Sequence, residues 1–349
     1  MNSLKFLLAL TLCLVVFSAN IQAKPSQSSS SSAFEFALIG DVPHDAKDLW
    51  KFDNVVKEIN SDKKLNWVLA LQPGDIRNIA LPCTDERFEN HLDRFQQFEI
   101  PLILTPENIE WTNCHHAFDS SRPLERRYDT TNLFQPSERL ARLREIFYPE
   151  PVKTQTNDPA YSESAENMHW MKNHILFATI NIDGSNNAQA VDGEAGTANA
   201  TLTWIQEVFK QAKAHNARGV FLLFEANPAD SKENNPGRAE FKKILTAFER
   251  ESVKYGKPVV LAHSGSSYFR MNQSMSGSTG NQKTENVINV KTFDADEFHW
   301  LRVTVNPESK KVFTIHREIV EKNLEHHSSI KQIKGDNNRL KERVKANNL

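Results

Sequence analysis

Five short apolar runs, each followed closely by side chains that can bind a metal or a phosphate, constrain the fold of this chain most strongly. The runs cover residues 34–39, 67–71, 101–105, 220–224 and 259–262. Because apolar residues fill consecutive positions, the runs are typical of strands buried on both faces, in a sheet covered by helices. Ligands of such sheets bind beyond the carboxyl ends of the strands. We therefore expect one functional site, built from the side chains that follow the runs: Asp41, Asp75, Asn108, Glu110, Glu225, Asn227 and His263.

Helical patterns alternate with the runs, which favours strand–helix–strand units and an α/β fold. The predicted helices cover residues 46–60, 85–98, 137–147, 201–215 and 236–251. The pattern predicts Ser137 as the N-cap of its helix, with an apolar stripe following it. Three later strands are predicted at 287–293, 298–305 and 311–316, and a turn at 306–309 makes the last two an antiparallel hairpin. We expect a layered β-sandwich flanked by helices, in one domain at residues 34–317.

Both ends of the chain differ in composition from this domain. Residues 1–23 form an expected signal peptide, because Lys5 precedes an apolar stretch too short to span a bilayer and a small residue, Ala23, completes a cleavage site. A Ser-rich tether is expected at 24–33 and a polar tail at 318–349. No later segment has the composition of a membrane span, so we expect an exported protein, periplasmic or extracellular.

Cysteine and charge narrow the function further. Removing the signal peptide removes Cys13 and leaves Cys83 and Cys114, which are expected to form a disulfide in an oxidising compartment. Two separately buried thiols are the alternative, and the absence of CxxC spacing argues against a zinc site. The net charge is −2, from 42 basic and 44 acidic residues, and there is no basic stripe. This composition argues against a nucleic-acid partner.

Four segments, in order along the chain, resemble a known family. They are Gly-Asp-Val-Pro-His at 40–44, Gly-Asp at 74–75, Thr-Pro-Glu-Asn-Ile-Glu-Trp at 105–111 and His-Ser-Gly-Ser-Ser at 263–267. Together they resemble the metallophosphoesterase (calcineurin-like) superfamily, whose signatures D-x-H, G-D-x-x-D/N, G-N-H-D/E and G-H-x-H follow successive strands. The resemblance runs from about Phe34 to about Ile315. It is closest to a bacterial exported subgroup, through residues 105–115, 123–126 and 263–269.

The resemblance implies hydrolysis of a small phosphorylated substrate at a site for divalent metal, either Mn, Fe, Zn or Mg. Two such ions, about 3.5 to 4 Å apart, polarise phosphoryl oxygens and deprotonate a bound water. By resemblance Asp75 bridges both ions, Asp41 belongs to the first and Asn108 to the second. The further implied metal ligands are His44, Glu225 and His263, and the implied substrate contacts are Glu110, His115, Arg126 and Asn227.

Departures from the family signatures predict a weakened site. Pro43 stands where the first motif has histidine, with His44 one position later, and Ile109 stands where the family has a general-acid histidine. Glu225 matches the lone imidazole ligand, and in the last motif Gly265 and Ser267 replace ligands. Losing partners around a metal typically costs about 10- to 100-fold in affinity or activity. The alternative hypothesis is therefore an inactive pseudoenzyme that binds a phosphorylated ligand, a glycan or a protein partner.

Six of the candidates also have a purely structural interpretation. Asp41 and Asp75 follow glycines at strand ends, where they could cap the next helices. His263 could be a hydrogen-bonded core histidine, and Glu225 could satisfy backbone donors. His44 and His115 could be polar loop residues. Only the positions of these side chains in the fold distinguish the interpretations.

Overall fold

The structure is a computed structural model. It describes residues 33–41, 48–71, 84–106, 135–148, 160–161, 166–182, 196–224, 236–264, 269–272, 285–293 and 298–324. These residues belong to one compact unit. Within them the helices are α1 (Leu49–Ser61), α2 (Asp85–Phe95), α3 (Pro136–Phe147), α4 (Gly196–Ala214) and α5 (Pro236–Tyr255). The strands are β1 (Phe34–Ile39), β2 (Leu65–Leu71), β3 (Leu102–Thr105), β4 (Ala160–Tyr161), β5 (Met168–Lys172), β6 (Ile175–Ile180), β7 (Gly219–Phe224), β8 (Val259–His263), β9 (Arg270–Asn272), β10 (Val287–Lys291), β11 (Trp300–Val305) and β12 (Phe313–Glu318).

The strands form two sheets. Sheet A has five strands in the order β12-β11-β1-β2-β3, and sheet B has seven in the order β4-β5-β6-β7-β8-β10-β9. In sheet A, β1, β2 and β3 are parallel, and β11 runs antiparallel to both β1 and β12. In sheet B, β6, β7, β8 and β10 are parallel. The carboxyl ends of the parallel strands therefore share one edge in each sheet, called here the carboxyl edge.

The two sheets pack face to face, and aromatic side chains fill the layer between them. Phe36 of β1 contacts Phe221 of β7 and Phe177 of β6 edge-on, with ring centroids 5.2 and 5.7 Å apart. The outer face of sheet A is covered by α1, through Phe52, Val55 and Ile59, and that of sheet B by α4 and α5. Both faces of the parallel strands are thus covered, which explains their uninterrupted apolar runs and confirms the layered α/β sandwich.

Two local features differ from what the sequence predicts. Helix α3 begins at Pro136, after an N-cap Gln135 that makes no side-chain capping bond, so the expectation that Ser137 caps the helix is wrong. Proline favours the first helical position, because the N–H it lacks would have no partner there. The hairpin of β5 and β6 was not predicted from the sequence. Its turn, Asn173 and His174, adopts left-handed φ values of 46° and 62° without the glycine that usually marks such turns.

Ordered structure continues past the expected start of the C-terminal tail at residue 318. Glu318 is the last residue of β12, and Val320 is buried against the outer face of sheet A. The amide nitrogen of Asn323 donates to the carbonyl oxygen of Phe298 at 2.6 Å. Residues up to 324 are therefore part of the packed domain. No helix among the described residues is long and apolar enough to cross a membrane.

Candidate functional site

The carboxyl edges of the two sheets meet at Gly40, the residue after β1. A Cβ atom at this position would lie 2.1 Å from Oγ1 of Thr292 and 2.4 Å from the carbonyl oxygen of Phe293. Contacts this short exclude any side chain, so glycine is required by close approach of the two backbones. Thr292 and Phe293 directly follow β10 of sheet B. The end of β1 is therefore held against the end of β10, and the next residue, Asp41, lies where the sheets join.

His263 lies at the same junction, as the last residue of β8. Strand β10 pairs with β8 in parallel, and the N–H of Thr292 donates to the carbonyl oxygen of His263 at 3.0 Å. Thr292 thus contacts the end of β1 on one side and the end of β8 on the other. Asp41 is 2% exposed and His263 is 3% exposed. Two of the predicted site residues, one from each sheet, are therefore brought to one buried edge.

The ring of His263 is held in one orientation. Its Nδ1 lies 2.7 Å from the carbonyl oxygen of Ser264. Because a carbonyl oxygen only accepts, Nδ1 carries the proton, and in the neutral ring the lone pair is on Nε2. The ring also stacks on Phe224, the last residue of β7, with centroids 5.4 Å apart. Burial agrees with the core-histidine interpretation, while a backbone carbonyl on one ring nitrogen is also how histidine ligands of metals are oriented.

Thr105, the last residue of β3, is a candidate that the sequence reasoning missed. Its side chain is fully buried, and Oγ1 makes no hydrogen bond among the described residues. A buried hydroxyl left without a partner costs about 1 to 3 kcal/mol. One explanation for such a group is a ligand or ion that it contacts when bound. The only sequence signal was a polar residue at the end of an apolar run.

His299 is a second imidazole at this edge that the sequence reasoning missed. It precedes β11, and because Ile39 pairs with Trp300, the register places His299 beside the end of β1. Its Nδ1 accepts a hydrogen bond from the N–H of Val320 at 3.3 Å. Burial lowers the pKa of His299, and the positive charge of Lys51 lowers it further, so the ring is neutral with its proton on Nε2.

A buried carboxylate on the sheet B side is fully engaged elsewhere. Glu166, which is 1% exposed, accepts two hydrogen bonds from Arg144 of α3, at 3.0 Å from Nε and 2.6 Å from Nη2. The amide of Asn181, which follows β6, donates to the same carboxylate at 3.3 Å. A bidentate arginine satisfies most of the acceptor capacity of a carboxylate. Glu166 therefore ties α3 to the β5–β6 hairpin and is a poor metal ligand.

The structure describes two of the residues proposed from sequence, Asp41 and His263. The other proposed metal ligands lie outside the described residues: His44, Asp75, Asn108 and Glu225. The proposed substrate contacts Glu110, His115, Arg126 and Asn227 and the cysteines Cys83 and Cys114 also lie outside them. Among the described residues, no three His, Cys, Asp or Glu side chains are grouped closely enough to hold a metal ion.

The structure places Asp41 and His263 at the junction and Thr105 farther along the carboxyl edge of sheet A, two strands from β1, and these donors fit a divalent cation in kind. Asp41 offers carboxylate oxygens, His263 an imidazole nitrogen and Thr105 a hydroxyl oxygen, all of which occur as ligands of first-row divalent metals or of magnesium. Together, the fold and this edge define a layered α/β sandwich with a buried polar junction where the carboxyl ends of its two sheets meet.

Comparison with known proteins gives distant likenesses only. No protein-family model matches the sequence, and no curated protein matches it. The structure of PhoD is similar at 11% identity and a TM-score of 0.49, over 79% of this chain and 64% of that one, so the chain spans just under two thirds of PhoD. GAP50, the anchor in the inner membrane complex of Plasmodium, is similar at 10% identity and a TM-score of 0.42, over 85% of this chain and 94% of that one. Likenesses this low carry no conclusion about function.

Proposed function

We propose that this chain is a metal-dependent phosphoester hydrolase whose site lies at the junction of the two carboxyl edges. The observation that carries the proposal is the close approach of Gly40 to Thr292 and Phe293. This contact brings the strand ends that bear Asp41 and His263 to one place. The order of the four sequence segments, which resembles the metallophosphoesterase superfamily, supports the same reaction class.

In this proposal Asp41 and His263 would hold a divalent ion, together with Asp75 and Asn108. When bound, such an ion polarises a phosphoryl oxygen and lowers the pKa of a coordinated water. The buried carboxylate of Asp41 supplies negative charge where little water screens it, which favours a cation. The hydrogen bond from His263 Nδ1 to the carbonyl oxygen of Ser264 fixes the ring, and in the neutral ring it puts the lone pair on Nε2, the nitrogen that would bind the ion. The hydroxyl of Thr105 supplies a further oxygen.

The sequence also indicates which leaving groups the proposed hydrolase can handle. Ile109 occupies the position of the family's general-acid histidine and cannot protonate a leaving group. A general acid contributes about 10² to 10⁴ in rate, which matters for an alkyl leaving group and little for an aryl one. We therefore infer slow hydrolysis of aryl phosphodiesters and far slower hydrolysis of alkyl ones.

Metal retention and turnover test the proposal together. Purified protein is dialysed against Mn²⁺ or Zn²⁺, its metal content is measured, and hydrolysis of bis(4-nitrophenyl) phosphate is followed. Asp41→Asn and His263→Gln should each lower retained metal and turnover by about tenfold or more. The matched controls are Asp93→Asn and His215→Gln, which change exposed residues of the same types. The hydrolase proposal fails if wild-type protein retains no ion and has no turnover. Binding of a phosphorylated ligand without turnover would support the alternative, an inactive pseudoenzyme.

Export and the disulfide belong to the same proposal. We infer that the mature chain begins after Ala23 and that Cys83 and Cys114 pair in an oxidising compartment. N-terminal sequencing of the exported protein tests the first inference. Thiol titration of the denatured, unreduced mature protein tests the second, since two reactive thiols would contradict the pairing.

A further inference from the structure

A cavity of about 360 Å³ lies on the outer side of β3, between the ends of α2 and α3. Among the described strands, β3 is at the edge of sheet A, so no described strand pairs with one side of its backbone. None of the ten described residues that line the cavity is charged; eight are apolar, and the other two are Gln96 and Tyr148. The volume falls within the range of about 300 to 1,000 Å³ that is typical of small-molecule sites.

The wall formed by β3 also carries polar backbone groups. The carbonyl oxygen of Pro101 accepts from the N–H of Val68, which directs that carbonyl towards β2. Because backbone groups alternate in direction along a strand, those of Leu102 and Leu104 point away from β2. The hydroxyl of Tyr148 donates to the carbonyl oxygen of Leu104 at 3.1 Å, which agrees with this direction. Backbone N–H and C=O groups of Leu102 thus face the side on which the cavity lies.

We propose that this cavity binds a small, uncharged molecule with an aromatic or branched apolar body and one hydroxyl or amide group. The apolar walls match the body, and the backbone of Leu102 with the amide of Gln96 can hydrogen-bond the polar group. Because none of the described lining residues carries a charge, a charged group would be desolvated here without a described partner of opposite charge, at a large cost. This lining therefore disfavours phosphorylated compounds, and it includes neither Asp41 nor His263 of the proposed phosphoester site.

Calorimetric titration with 1-naphthol tests the proposal, with 1-naphthalenesulfonate as its charged counterpart. We expect 1-naphthol to bind once per chain and the sulfonate to bind at least about tenfold more weakly. Gln96 and Gln97 are neighbouring exposed glutamines, of which only Gln96 lines the cavity. Gln96→Trp should fill the space and weaken 1-naphthol binding by about tenfold or more, whereas Gln97→Trp should leave it within about twofold.

A second measurement locates the probe without any substitution. Methyl NMR signals of Leu92 and Leu102, which line the cavity, should shift on addition of 1-naphthol. Absence of saturable binding by wild-type protein would overturn the proposal. So would equal binding by the Gln96→Trp and Gln97→Trp variants, or naphthol-induced shifts that leave both leucines unchanged.

Discussion

Replacing Gly40 by alanine tests whether the two carboxyl edges are locked together. The new Cβ would lie 2.1 Å from Thr292 Oγ1 and 2.7 Å from Thr292 Cβ. It would also lie 2.4 Å from the carbonyl oxygen of Phe293. The threonine hydroxyl can rotate away, but the carbonyl belongs to the backbone, and the Phe293 ring is packed against Phe269 with centroids 5.4 Å apart.

The size of the effect follows from two opposing terms. Overpacking of a buried site costs about 1 to 3 kcal/mol and occasionally more, and contacts with fixed backbone belong at the upper end. Alanine restricts the unfolded chain more than glycine does, which returns about 0.4 to 1 kcal/mol. We therefore expect Gly40→Ala to lower the free energy of unfolding by about 2 kcal/mol, or about thirtyfold in the folding equilibrium.

Urea denaturation followed by tryptophan fluorescence measures this change. The control is Gly219→Ala, whose Cβ would meet ring atoms of Phe313 at 2.9 and 3.0 Å and a methyl of Val312 at 3.2 Å. These are side-chain atoms that can shift, so a smaller loss is expected. Thr292→Ala in the Gly40→Ala background should recover part of the loss and be non-additive. If Gly40→Ala unfolds within about 0.5 kcal/mol of wild type, the locked junction is refuted.

Three further changes probe polar groups along the carboxyl edges of the two sheets. Arg144→Ala leaves the buried carboxylate of Glu166 without its arginine and should lower the free energy of unfolding in urea by about 3 kcal/mol. This is the lower end for a broken buried pair, because the side chain of Arg144 is 36% exposed. Glu166→Gln in the same chain should recover part of the loss. Thr105→Val should keep or raise stability by up to about 1 kcal/mol, since the hydroxyl has no partner among the described residues, and it should lower retained metal; a clear loss of stability would contradict this. Burial and the charge of Lys51 lower the pKa of His299 in the folded protein. The stability that the neutral ring contributes is therefore complete above its ordinary pKa of 6.5 and is lost as the pH falls through the folded pKa. The unfolding free energies at about pH 7.5 and 5.5 should differ less in His299→Asn than in wild type.

The sequence predicts most of the sandwich because a strand covered on both faces consists almost entirely of apolar residues, and such runs can be recognised directly in the sequence. The sequence does not predict the turn at Asn173 and His174 that connects β5 to β6, because these residues adopt left-handed φ values without the glycine that usually marks such a turn. Pro136 likewise takes over the start of α3 from Ser137.

The candidate site likewise contains residues that the sequence predicts and residues that it does not. Asp41 and His263 stand at the carboxyl ends of parallel strands in different sheets, so strand direction places each at a carboxyl edge, but only the contact of Gly40 with Thr292 and Phe293 joins the two edges. His299 reaches that edge from the amino end of an antiparallel strand, β11, and Thr105 ends an apolar run. Neither could be found by looking only at the polar residues that follow the predicted strands. The strand register that places His299 and the lack of a described hydrogen-bond partner for the Thr105 hydroxyl can be seen only in the folded chain.

The strands of sheet B lie, in chain order, between the first three and the last two strands of sheet A, and this order affects how the chain folds during synthesis. Sheet A takes β1, β2 and β3 from residues 34–105 and β11 and β12 from residues 300–318, with the strands of sheet B made in between. During synthesis, the side of β1 opposite β2 therefore has no partner until β11, at residues 300–305, has been made. Such non-local pairing slows folding, and a waiting strand edge invites association with other chains. We expect nascent or truncated chains that end before β11 to depend on holding chaperones and to aggregate without them.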